Sequence, residues 1–340
     1  ALEHNHDLHI ARLDAEQAAN SATQGNAGRL PTLTASAGTN YSNQNSNLEF
    51  ATGQTQDVEG AESLSQNASL GVSQVLFAGG RIQRSYQLLN SAKKAADLAQ
   101  KQAMENTIAQ VWSQYTGISL LQRTVATAAE NFNISKERFD KAQLTNELGG
   151  SNSTDLMAAK VDMNRDKVDL MEAETQLESA KNSFAVYIGY EEDFTVSDQI
   201  GLTLEEQFDE AETLEIMRAS NTTLQLAGIS AETARIQQQL QQATLFPTIA
   251  AQASYGLNQS QAEAGFLSSS QQTGLNAGIS LQYNLFSGFQ SRTQRQNAKL
   301  EVLKAEHRQA QTTEVIENTV KNAVRAFNNA AAVAKIEAAN

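Results

Sequence analysis

The sequence predicts a two-repeat membrane protein of mixed class: a transmembrane β-barrel to which each chain gives four strands, continued by a barrel of long coiled-coil α-helices. Three observations carry this. The chain is internally duplicated, its strands alternate apolar residues with uncharged polar ones, and its helical periodicity runs far beyond the size of a globular domain. The 340 residues carry 38 acidic and 25 basic side chains, a net charge of -13, which excludes the basic stripe of a nucleic-acid binder. Cysteine is absent, so there is neither a disulfide frame nor a thiolate metal site. No run approaches the roughly 20 apolar residues of a membrane-spanning helix. The start, "ALEHNHDLHIARL", has no basic and hydrophobic leader, so an exported chain would already have lost its signal.

The duplication sets the architecture. At an offset of 216 residues Asn5 falls on Asn221, Leu8 on Leu224, Pro31 on Pro247 and Ala35 on Ala251. The offset then becomes 209, with Ala68 on Ala277, Leu70 on Ile279 and "LFAGG" (76–80) on "LFSGF" (285–289). The change falls in polar stretches rich in Gly, Ser, Asn and Gln, the composition of loops that tolerate insertions.

Each repeat therefore reads helix, proline, strand, polar loop, strand, "LF-x-G" break, long helix. Residues 1–30 are expected to form the first helix and 31–77 a transmembrane hairpin with an exposed polar loop at 42–66. Residues 78–188 are expected to form a long helical hairpin with its tip near 149–155, and 189–215 an acidic linker. The second repeat gives a helix at 216–245, a hairpin at 246–286 with its loop at 256–272, and a long helix at 287–340. Arms of about ten residues suit a tilted membrane strand. The face with Ile249, Ala251, Ala253, Ala277, Ile279, Leu281 and Tyr283 is expected to meet lipid, while the opposite face, with Asn276, Gly278, Ser280 and Gln282, carries no charge. Such a face wets a channel without attracting one charge sign.

Between the hairpins, apolar residues recur at three- and four-residue steps: Ile108, Val111, Tyr115, Ile118, Leu121, Val125, Ala128, Phe132. After "LGGSNSTD" the stripe resumes strictly as Leu156, Ala159, Met163, Asp166, Leu170, Ala173, Leu177, Ala180, Phe184 and Tyr187, a coiled-coil seam. Gly149 and Gly150 stop the first helix, and Ser151, Asn152 or Ser153 caps the second. Asp166 either fixes register or marks a seam edge open to solvent. Four strands with a lipid face leave open edges in hydrocarbon, so closure needs other copies; three, sharing twelve strands, is the simplest ring with a wide lumen.

The order "LPTL", hairpin, "LFAGGR", very long helix, glycine-containing tip, return helix ending "YIG", then "FPTI" and "LFSG", resembles the TolC-type outer-membrane efflux proteins over nearly the whole chain. The resemblance implies a homotrimer in the bacterial outer membrane extending into the periplasm. It would serve as a passive exit duct of a tripartite efflux or secretion system, opened at its tip by a periplasmic adaptor (membrane fusion protein) and an inner-membrane transporter. It implies no enzyme activity and no cofactor. By the family's tip motif, Thr154 and Asp155 correspond to residues that tie neighbouring helices and hold the entrance closed; the alternative is that they only cap the return helix. Gly149, Gly150 and Ser151, at the turn furthest from the membrane, correspond to adaptor contacts. The second repeat ends at Asn340, the equivalent of Asn131, so the sequence is expected to be a piece of a longer protein that also carries the second tip. The ten acids of 189–215 form a belt around the tunnel or plain solvated surface. The "HNHDLH" histidines lie on different helix faces and read as an exposed helix start. The competing class is a non-channel coiled-coil scaffold or fibre with terminal hairpins.

Overall fold

A computed structural model describes residues 3–150, 152–190, 194–197, 207–264 and 267–338. It divides into two compact units. The first contains Ala1–Ala15, Ala96–Gln225 and Glu314–Asn340; the second contains Glu16–Ala95 and Leu226–Thr313.

The elements run α1 (His6–Ser21), β1 (Thr32–Glu49), β2 (Thr55–Phe77), α2 (Arg81–Glu147), α3 (Ser153–Ile188), α4 (Glu210–Ser220), α5 (Thr222–Ala243), β3 (Thr248–Ala262), β4 (Ser269–Gln282) and α6 (Gln290–Ala338). No described helix is long and apolar enough to cross a membrane. The first helix is shorter than the sequence suggests, giving way to turns after Ser21. The helix expected over 216–245 is divided at Asn221 into α4 and α5. The cause of that break is local: the Asn221 side chain accepts from Leu224 N–H at 3.0 Å, capping α5. Its repeat equivalent, Asn5, accepts from Leu8 N–H at 3.1 Å at the start of α1.

In the first unit α2 and α3 pack along the expected seam. All ten predicted α3 positions are buried or half-buried, and every other described residue from Asn152 to Ser179 is exposed. On α2 the covered stripe reads Ile118, Leu121, Val125, Ala128, Phe132, Ser135, Phe139, Ala142, Asn146, again alternating three and four. Ile118, Phe184 and Val196 form the buried core, flanked by Val111, Tyr115 and Leu177. Asp166 lies in the α3 stripe half-buried, its side chain 21% exposed, and Arg165 Nε lies 3.7 Å from its carboxylate. Ile108 departs from expectation: it is exposed, and Thr107 is buried instead. The reason is a change of partner, because this part of α2 meets the start of α5, where Thr222 donates to Glu105 and Gln102 donates to Thr223, each at 2.8 Å.

In the second unit the four strands form one antiparallel meander in the order β1-β2-β3-β4, leaving one edge each of β1 and β4 unpaired in the chain. The polar stretch 42–66, expected as a loop, is mostly paired strand. The β1–β2 ladder continues past a bulge at Gln44/Ser46 to Glu49↔Thr55, and Gly60, at φ 66°, donates from its N–H to Asn45 Oδ1 at the bulge. Stretch 256–272 is shortened in the same way, since β3–β4 pairing continues to Gln261↔Ser269.

Candidate pore-lining face and helical tip

Alternation places two chemically distinct faces on the sheet. One carries the rows Thr34–Gly71–Ser254–Asn276, Ser36–Ser69–Gly256–Gly274 and Gly38–Asn67–Asn258–Gln272. Cross-strand hydroxyl pairs tie it together: Thr32 with Ser73 at 2.7 Å, Ser36 with Ser69 at 2.8 Å and Ser42 with Ser63 at 2.8 Å. No charged residue occurs in β3, in β4, in β1 before Glu49 or in β2 after Glu62. The glycines keep this face low, and the hydroxyls and amides offer hydrogen bonds to water without a fixed charge, the chemistry of a wet barrel interior.

The other face carries the rows Phe77–Ile249–Leu281, Gln74–Ala251–Ile279, Leu33–Val72–Ala253–Ala277, Ala35–Leu70–Tyr255–Leu275 and Ala37–Ala68–Leu257–Thr273. Six of the seven residues named from the sequence are brought together here, and Tyr283 follows directly after the end of β4. The next row, Thr39–Gln66–Gln259–Gln271, is wholly polar and closes the band. On β3 the band runs from Ile249 to Leu257, about nine residues, the length of a tilted membrane strand. Gln74 and Thr273 are the polar exceptions; the Gln74 amide donates to Arg29 O at 3.2 Å and Val75 O at 3.0 Å.

At the tip, Gly149 takes φ 75° and its N–H donates to Asn146 O, while Gly150 N–H reaches back to Thr145 O, closing α2 with paired C-terminal bonds. Of the three residues proposed as the cap, Asn152 serves: its Oδ1 accepts from Thr154 N–H at 3.3 Å and from Thr154 Oγ1 at 3.4 Å. Asp155 stands exposed in the first turn of α3, where a carboxylate complements the helix dipole. Ser151 lies outside the described residues.

Residues 191–193 and 198–206 of the acidic stretch also lie outside the described residues. What flanks them is apolar and was not foreseen. Phe194 packs on Phe184 at 5.8 Å, Val196 enters the core, and Tyr115 donates to Ser197 O at 2.9 Å. Phe208 meets Phe327 at 5.0 Å and exchanges two hydrogen bonds with Asn328. The only signal for this was the interruption of the acids by isolated aromatic and β-branched residues. Among the histidines, His4 lies so close to Gly189 that a Cβ there would stand 2.5 Å from its own Cβ, and His9 Nε2 is 2.9 Å from Glu3 O.

A four-stranded meander with one uncharged polar face and one apolar band, alternating in sequence with helices of up to 67 residues, defines a channel protein of the outer-membrane barrel-and-helix class. Residues 1–190 match the family described as outer membrane efflux protein, and the chain belongs to that family. It is accordingly an outer-membrane protein and not an enzyme. No curated protein matches the chain in sequence. Among solved structures, the fold is similar to the CmeC outer membrane channel of Campylobacter jejuni (TM-score 0.76, 16% identity, 94% of this chain and 67% of that one). It is also similar to the outer membrane protein VceC of Vibrio cholerae (0.69, 16%, 92% and 73%) and to the open-state MtrE outer membrane channel of Neisseria gonorrhoeae (0.65, 20%, 97% and 70%).

Proposed function

We propose that three copies of the chain close a twelve-stranded barrel in the outer membrane and form the passive exit duct of a tripartite efflux or secretion system. The carrying observation is the sheet itself: an uncharged, hydroxyl-lined face backs an apolar band, while β1 and β4 keep free edges that hydrocarbon does not tolerate. In this reading Ile249, Ala251, Ala253, Ala277, Ile279, Leu281 and Tyr283 face lipid, and the Ser, Asn, Gln and Gly rows line the lumen. Residues 189–215 belt the periplasmic helices. A periplasmic adaptor meets the tip at Gly149, Gly150 and Ser151, and an inner-membrane transporter supplies the energy. Asp155 and Thr154 hold the closed tip through links to adjacent helices, each worth about 1 kcal/mol if exposed. The Thr154 hydroxyl also donates to Asn152 Oδ1, which ties it to the side chain that caps α3.

The test is recovery of the protein from outer membranes, native mass in detergent and conductance in planar bilayers. A trimer that conducts and loses its closed state with Asp155→Ala supports the reading. Recovery as a water-soluble monomer or dimer rejects the duct in favour of a scaffold.

A further inference from the structure

The two repeats meet inside one chain where β2 pairs with β3, and that junction holds information about a junction the chain cannot make alone. We propose that β4 of one copy pairs antiparallel with β1 of the next, with Leu281 opposite Ala37 and Ser280 opposite Gly38. This rests on the closed-ring reading above and deepens it from a ring to a register.

β4 is the repeat equivalent of β2 at an offset of 209, and β1 is the equivalent of β3 at an offset of 216. The offsets hold in three dimensions, because the observed pair Leu33↔Val72 of the first hairpin maps onto Ile249↔Leu281, an observed pair of the second. They hold past the strands too: Gly79 and Gly80, at φ 60° and 82°, map onto Gly288 and Phe289, at φ 59° and 67°. Phe289 keeps a left-handed backbone that costs a non-glycine residue roughly 1 to 2 kcal/mol. Applied to the observed pairs Val72↔Ala253 and Gly71↔Ser254, the offsets give Leu281↔Ala37 and Ser280↔Gly38.

Two further features fit this register. Faces agree, since Leu281 and Ala37 both belong to the apolar band and Ser280 and Gly38 to the polar face, whereas a one-residue slip would reverse every side chain. Glycines also compensate. In the internal junction Gly256 lies so near Ser69 that a Cβ would come within 3.1 Å of the serine Cβ. In the proposed junction the equivalent row is Asn40 against Gly278, with the glycine moved to the opposite strand and one glycine per row retained.

The same reasoning assigns a contact below the strands. A Cβ on Gly79 would stand 2.7 Å from both Ala243 O and Phe246 Cβ, so this glycine is closely covered; Gly288, with the same backbone, has nothing within 4 Å of such a Cβ. The equivalent of Phe246 is Leu30, which is 55% exposed. Leu30 of the adjacent copy covers Gly288.

Because the chain has no cysteine, the register can be read by oxidative cross-linking in isolated outer membranes. The double variant Ala37→Cys with Leu281→Cys is expected to run as covalent dimers and trimers. Ala37→Cys with Ile279→Cys, a two-residue slip on the same face, should link at least tenfold less. Efficient linking of the slipped pair, or no linking of either pair in a protein whose native mass is still that of a trimer, overturns the register. A monomeric native mass overturns the ring itself, so the two failures are distinguishable. Leu30→Lys should lower the temperature at which the trimer dissociates in detergent, and an unchanged temperature overturns the Leu30 contact.

Discussion

The sheet and α3 both turn apolar side chains outward, and they do so differently. On the sheet the outward residues form five contiguous rows without one charge, bounded by a row of Thr and Gln. On α3 the outward residues Met157, Val161, Val168 and Met171 form a narrow stripe, flanked on the same helix by Lys160, Asp162, Arg165, Lys167 and Asp169. A surface against hydrocarbon has to be free of charge across its full width, because an unpaired charge there has no water to solvate it. A stripe edged by charges stays at a water boundary and suits packing against protein. Exposure of apolar residues is thus not one signal: the width of the uncharged zone distinguishes the band of the sheet from the stripe of α3.

The largest effect is expected inside the helical seam: Phe184→Ala, in the Ile118–Val196 core, should cost about 3–5 kcal/mol in denaturant unfolding of the helical part. Val168→Asp, on the outward stripe of the same helix, should stay within about 0.5 kcal/mol for the single chain; a loss as large as that of Phe184→Ala would place Val168 in the chain's own core. Ile279→Lys, within the band, should cost about 2–4 kcal/mol when folding into lipid vesicles is measured, and Gln259→Lys, in the bounding row, only about 0–1 kcal/mol. Equal costs at the two sites would mean that the band is not the lipid face. Asn221→Ala should cost about 1 kcal/mol by loss of the α5 cap, read as a lower thermal midpoint.

The smallest effect concerns α6, where Lys304 Nζ donates to Glu301 Oε1 at 2.7 Å and holds that carboxyl below its ordinary pKa. A lowered folded-state pKa contributes stability that is complete above the ordinary carboxylate value and is lost as pH falls through the folded one. The Lys304→Met variant should therefore differ from the parent near neutrality and converge with it in acid. A difference that grows on acidification would contradict the pairing.

Much of this architecture is legible in the sequence because it depends on local period. The α3 seam, the glycine stop at Gly149 and Gly150, and the two sheet faces follow from spacing alone, since a helix repeats every 3.6 residues and a strand every two. The tip cap was narrowed to three residues by composition, and only the hydrogen bond to Thr154 selects Asn152. Tertiary structure decided where neighbours change or where neither face is apolar. Residues 43–49 and 55–62 are largely polar on both faces and carry no alternation to read, yet the ladder begun in the apolar band continues through them. The exposure of Ile108 and burial of Thr107 follow from α2 exchanging α3 for α5 as its neighbour, a change no local period encodes. Phe194 and Val196 reach the core by packing with Phe184, a contact that no helical period encodes. Spacing determines which side of an element is apolar; which partner covers that side is settled by packing between residues far apart in the chain.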